Sequence, residues 1–213
     1  MKAVTKKKSM PVNTDSVITD SLKLIEQQNY EDAESNLKVY LKENKDDTRA
    51  IHLMGIIYAR KMDFIKAEKY FKKEVKLDNS QADAHFNLGI IHTQQNRYTE
   101  AMKDYKNVIK INPEDPQALN DLGVICYNKG DEKNSLDCFM KSLKVSPTYN
   151  EAFLNLFELL WNKGEYNLAL EHAHNFLKEL SDSNISEITE KSINKEIEIK
   201  NSSKQQSLKL QKR

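Results

Sequence analysis

The chain has 213 residues, 38% hydrophobic and 31% charged, and a formal net charge of +1, a balance that suits one or two domains with a buried core. Five glycines and four prolines are too few turn formers for a many-stranded sandwich or barrel, so helices are expected. The charge is unevenly spread: residues 1–13 carry four lysines and no acid, whereas residues 14–180 hold 22 basic and 27 acidic groups, and an acidic body of this kind argues against general nucleic-acid binding.

The first stretch, "MKAVTKKKSMPVNTD", lacks the apolar core of about 7–15 residues that a signal peptide needs. No window approaches about 18 consecutive apolar residues, so no membrane insertion is expected and the default location is cytoplasmic. Residues 1–13 are expected to be a disordered, solvated basic head.

From residue 14 onward one period dominates. Gly55, Gly89 and Gly123 stand 34 apart, and the same step reaches Ser21 on one side and Phe157 on the other. Twelve places later come Ala33, Ala67, Ala101, Ser135 and Ala169, all small. Sixteen places after the glycine series stand Leu37, Phe71, Tyr105, Phe139 and Ala173, four of them large. A fixed period of this length marks a stacked repeat. Within each repeat the apolar residues follow helical spacing, as in Ala84, Leu88, Ile91 and His92 and then Ala101, Tyr105, Val108 and Ile109, so each holds two helices. "QQNR" at 94–97, "NKGDE" at 128–132 and "NKGEY" at 162–166 read as the turns between them, and Asp115 before Pro116 reads as a cap followed by a first-turn proline.

The 34-residue unit with small residues at places eight and twenty, and proline at place thirty-two in Pro113 and Pro147, resembles the tetratricopeptide repeat (TPR). Five repeats, at 14–47, 48–81, 82–115, 116–149 and 150–183, span about four fifths of the chain. The first and fifth depart from the pattern, with Ser21 and Phe157 in the glycine place, as terminal repeats of a solenoid do. Gly55, Gly89, Gly123, Ala67, Ala101 and Ala169 are then structural packing residues, small because two helices must approach closely there.

The resemblance implies an all-α fold, a right-handed α-solenoid whose first helices line a concave groove. The family's groove places are the second, fifth, sixth, ninth, twelfth and thirteenth. They fall on Arg49, His52, Leu53, Ile56 and Arg60 in repeat two, and on Asp83, Phe86, Asn87, Ile90 and Gln94 in repeat three. In repeat four they fall on Gln117, Asn120, Asp121, Val124, Tyr127 and Asn128, and in repeat five on Glu151, Leu154, Asn155, Glu158, Trp161 and Asn162. Asn87, Asp121 and Asn155 lie 34 apart and would form a ladder able to hydrogen-bond an extended main chain, similar to the asparagine ladder in the repeat domain of O-linked N-acetylglucosamine transferases. The candidate peptide-binding residues are Phe86, Asn87, Asn120, Asp121, Tyr127, Asn128, Asn155, Glu158, Trp161 and Asn162. The carboxylate clamp of chaperone-binding repeat domains is not reproduced, since of its matching places only Asn87 agrees.

Catalytic patterns are lacking: there is no GxSxG, no GxxxxGK and no HExxH. His85 and His92 occupy core places, His172 and His174 make a weak metal pair, and Cys126 and Cys138 read as reduced, inert thiols. No metal and no cofactor are expected. The last stretch, 184–213, is expected to supply a capping helix around Ile193 and Ile197 and then fray. The sequence therefore points to a non-enzymatic scaffold holding an extended peptide or protein segment in its groove. The alternative is a structural or regulatory subunit that forms a homo-oligomer, or docks a catalytic chain, through its convex face or terminal helices.

Overall fold

The computed structural model describes residues 14–182 and, beyond them, only Lys195, Glu198, Ile199 and Ser202. The basic head and nearly all of the 184–213 segment, with its expected capping helix, lie outside the described residues. Among the described residues there are ten helices and no strand: α1 (Thr14–Glu26), α2 (Tyr30–Glu43), α3 (Thr48–Arg60), α4 (Phe64–Leu77), α5 (Ala82–Gln94), α6 (Tyr98–Ile111), α7 (Pro116–Asn128), α8 (Glu132–Val145), α9 (Asn150–Asn162) and α10 (Tyr166–Asp182). The fold is an all-α solenoid of helix–turn–helix repeats.

Each repeat turns in the same way. Gln28, Met62, Asn96, Gly130 and Gly164, again 34 apart, adopt positive φ of 57–78° just after the first helix of their repeat. The next residue sends its N–H five residues back, from Asn29 to Leu24, Asp63 to Tyr58, Arg97 to His92, Asp131 to Cys126 and Glu165 to Leu160, at 2.8–2.9 Å. This is the Schellman closure, which satisfies carbonyls that the helix end would otherwise orphan. Only two of the five positions hold the glycine that left-handed backbone favours. Several helix starts are secured by aspartates: Asp63 caps Lys66 N, Asp131 caps Asn134 N, and Asp115 accepts from Ala118 N at 2.8 Å, with Pro116 opening α7 as the sequence suggests.

The chain forms two compact bodies, divided within α7 between Ile125 and Cys126. In the first, the small-residue register is a packing device. A Cβ placed on Gly55 would lie 2.6 Å from the Phe71 ring, and one on Gly89 would lie 2.8 Å from Tyr105. No side chain fits there while those rings are buried at place twenty-four. Ala33, Ala67 and Ala101 are fully buried, and Gly123 is buried too. Consecutive repeats are also tied by polar contacts, with Arg49 bonded to Asp15 at 2.9 Å, and Glu34 accepting from the Tyr58 hydroxyl at 2.6 Å and from Lys61 at 3.0 Å.

The second body is aromatic. Phe153 stacks on Phe176 with centroids 4.1 Å apart, Phe157 stacks on Trp161 at 5.4 Å, and Trp161 meets Tyr166 edge-on at 4.9 Å. Ala169 and Ala173 are buried opposite this cluster's helix, on α10. Both cysteines are buried thiols rather than halves of a disulfide.

Candidate functional site

The first-helix surface of the first body is built by α1, α3, α5 and the part of α7 up to Ile125. Its fifth place is a wall of the helix pair. His52 meets Phe71 edge-on at 5.6 Å and 65°, and Phe86 meets Tyr105 at 5.6 Å and 70°, so both lean on the large residue of their own repeat. Asn120 holds this same place in repeat four and is 4% exposed, its amide donating to Asp121 Oδ1 at 3.2 Å. Asn120 is thus buried where a groove-facing amide was expected, although His52, at the same place in repeat two, lines a concavity. Asn87 is half-buried and donates to the carbonyl of Asp83 one turn back, at 2.9 Å.

Other groove places converge on open concavities. Ile90, Gln94, Asp121 and Val124, joined by Thr93 and Tyr105, line one of about 210 Å³. Thr93 stands at a twelfth place that the family register marks, whereas Tyr105 reads from sequence only as a core residue. The Thr93 hydroxyl donates to Gly89 O at 2.8 Å. Burial raises the Tyr105 pKa above the ordinary phenol range, and the neighbouring Asp121 carboxylate, to which its hydroxyl is hydrogen-bonded, pushes it the same way. Tyr105 therefore keeps its proton as a donor. A second concavity of about 370 Å³ lies nearer the start of the chain, lined by Ile18, Leu22, Thr48, Arg49, His52, Leu53, Glu74, Gln81 and Asp83. There the buried Glu74 carboxylate sits 3.0 Å from His52 Nδ1.

A polar network inside the same body has no groove exposure. His92 lies between Asp104, 2.6 Å from Nδ1, and Glu68, 3.2 Å from Nε2, while Glu68 also binds Arg97 at 2.9 Å. His85 Nε2 faces Asn79 Oδ1 at 3.0 Å. Both histidines are 3% exposed, so they are buried parts of the core. Burial works against the Glu68 carboxylate, yet Lys72, Arg97 and His92 together bring its pKa down to about 2. Burial pushes Asp104 up, against the pull of His92. No group of three or more His, Cys, Asp and Glu side chains among the described residues is arranged to hold a metal ion.

The candidates in the second body cluster differently. Tyr127, Asn128, Glu158 and Asn162 are exposed, and Asn162 Nδ2 lies 3.3 Å from the Tyr127 hydroxyl. Asn155 and Trp161 are half-buried, the indole held between Phe157 and Tyr166. No helix among the described residues is long and apolar enough to cross a membrane.

Comparison with known proteins agrees with this architecture. A TPR repeat model matches residues 91–130 and a tetratricopeptide repeat model matches 116–149. No curated protein matches the chain. Among solved structures, MamA from Desulfovibrio magneticus RS-1 is similar at 22% identity and TM-score 0.71, over 81% of this chain and 97% of that one. PilF of Pseudomonas aeruginosa follows at 18% identity and TM-score 0.70, over 91% and 96%. YrrB, described as a TPR protein with an unusual peptide-binding site, gives 19% identity and TM-score 0.65, over 84% and 90%. Residues 91–149 thus match tetratricopeptide-repeat models, and the solved structures at 18–22% identity share the helix–turn–helix solenoid fold.

Proposed function

We propose that this protein is a non-enzymatic scaffold that binds an extended peptide or protein segment on the face made by the first helices of its repeats. The observation that carries this reading is where the concavities of the first body fall. Both open on first-helix groove places, Ile18 and Leu22 with His52 and Leu53 in one, Ile90 with Asp121 and Val124 in the other. Each joins apolar walls to a few polar groups, the composition that ligand sites share. Side-chain amides and carboxylates beside such walls can hydrogen-bond an extended main chain while the walls take alternate side chains. The peptide-binding site described for YrrB supports the reading by analogy of fold.

The test is affinity capture from the native cell, comparing wild type with the triple variant Asn87→Ala/Asp121→Ala/Asn155→Ala. Partners lost from the variant support the groove. Partners retained in full would leave the convex face or the terminal helices as the binding surface.

A further inference from the structure

The second helices of the first body sort their charges by direction. On α4 and α6 the acids Glu68, Glu74 and Asp104 are buried or half-buried against His52, His92 and Arg97. The outward side is lysine. Lys69 and Lys103, Lys72 and Lys106, and Lys76 and Lys110 are all exposed, each pair 34 residues apart, so the repeat carries the lysines of one helix onto the next. Glu100 is the single exposed acid on these two helices, and Arg97 holds it at 3.1 Å. Lys72 pairs with Glu68, whereas the other five lysines form no salt bridge among the described residues. Packing does not ask for this pattern. In α8 the places of Lys103 and Lys106 hold Asp137 and Met140, and in α2 the place of Lys69 holds Ser35.

The arrangement is that of a surface. Along each helix the lysines recur every three or four residues, about 4.5–6 Å of rise, and α4 and α6, both packed on α5, supply two rows. An extended anionic chain would track one row, whereas a plane of negative charge engages both at once. Lysine suits such a plane: it is a point charge on a flexible stem, while geometric recognition of a single phosphate or carboxylate favours arginine. Neither α4 nor α6 contains an arginine.

An apolar element stands beside the charge. Ile65 is 80% exposed, more than any other large hydrophobic side chain among the described residues. It precedes Lys69 by four positions and Lys72 by seven, which puts all three on one face of α4. Met62, 69% exposed, stands in the turn just before. Basic stems with a protruding apolar side chain are the means by which an interfacial helix engages anionic lipid.

We propose that the outward face of α4 and α6 docks on an anionic lipid bilayer, with the lysine rows over the headgroups and Ile65 and Met62 reaching the acyl boundary. The contact is peripheral. It uses second helices and leaves the first-helix concavities open, so it does not depend on the groove reading above.

The test is co-sedimentation of the full chain with phosphatidylcholine vesicles, either pure or containing about 30% phosphatidylserine. Binding to the anionic vesicles alone is expected in about 0.1 M salt, and its loss in about 0.5 M salt, where the charges are screened. Lys69→Glu/Lys103→Glu/Lys106→Glu should weaken it by at least about tenfold, and Ile65→Ser by about threefold. Lys129→Glu/Lys133→Glu/Lys144→Glu, at exposed positions of the second body, has the same net charge and should bind like wild type. Circular dichroism checks that each variant is folded, and Lys69→Gln/Lys103→Gln/Lys106→Gln, with a smaller expected loss, serves if the acidic variant is not. Equal binding to both vesicle types, equal loss in the two acidic triple variants, or no vesicle binding overturns the proposal. Binding to duplex DNA or polyglutamate that the α4 and α6 lysines control, with none to vesicles, also overturns it and makes this face a site for a soluble polyanion.

Discussion

Repeats three and five solve one packing problem from opposite sides. In repeat three, place eight is Gly89 and place twenty-four is the buried Tyr105, whose ring lies 2.8 Å from where a glycine Cβ would stand. In repeat five the sizes are exchanged: Phe157 occupies place eight, 2% exposed, and Ala173 occupies place twenty-four, also 2% exposed. Interiors are close-packed, so what the register conserves is one small and one large residue per helix pair, and either helix can supply the large one. The departure at Phe157, which resembles terminal degeneracy in sequence, is a compensated exchange. It also gives the second body its aromatic run through Phe153, Phe176 and Trp161.

The exchange can be broken most severely at Phe157. Phe157→Ala leaves repeat five with two small residues, and urea unfolding should show a loss of about 3–5 kcal/mol. In repeat three the opposite change applies. Gly89→Ala gains about 1 kcal/mol of helix propensity but overpacks against Tyr105 by about 1–3 kcal/mol, so a net loss is expected. Tyr105→Leu in the same molecule should recover it, and a double-mutant cycle reads the coupling.

Smaller effects sharpen the comparison at the turns. Met62 and Gly130 share one left-handed conformation, φ 60° and 76°, which costs a side-chain-bearing residue about 1–2 kcal/mol. Met62→Gly should therefore raise the thermal midpoint, and Gly130→Ala should lower it. Ser135 and Ser21 occupy small-residue places, are fully buried, and have hydroxyl oxygens with no hydrogen-bond partner. Ser135→Ala and Ser21→Ala should each stabilise by about 1 kcal/mol in the same assay.

The least of these effects is acid sensitivity of the first body. The Glu68 pKa is depressed in the folded state to about 2. Its contribution is therefore complete above about pH 4.5, the range of an unfolded glutamate, and is lost as pH falls towards 2. Asp104, pushed up by burial, acts in the opposite sense. Unfolding curves collected through that window should show a falling limb that Glu68→Gln flattens.

The repeat period, the helix pairs and the packing role of Gly55 and Gly89 were legible in the sequence because they rest on local size and spacing. The turns were half legible. Gly130 and Gly164 announce left-handed backbone, whereas Gln28 and Met62 carry no such signal and are held by the Schellman bonds around them. At the candidate site, Ile90, Gln94, Asp121 and Val124 follow from the family register, but the inward turn of Asn120 does not. Its burial depends on tertiary packing, which sequence spacing leaves out. Tyr105 was likewise hidden as a core residue, since its ring fills the interior while its hydroxyl reaches Asp121.

Which helices a partner covers is decisive. Hydrogen exchange of the protein, alone and with a captured partner, measures this directly at peptide resolution. Protection concentrated on α3, α5 and α7, centred on residues 83–94 and 117–124, is the predicted result. Protection confined to α4 and α6, with those segments unchanged, would contradict it.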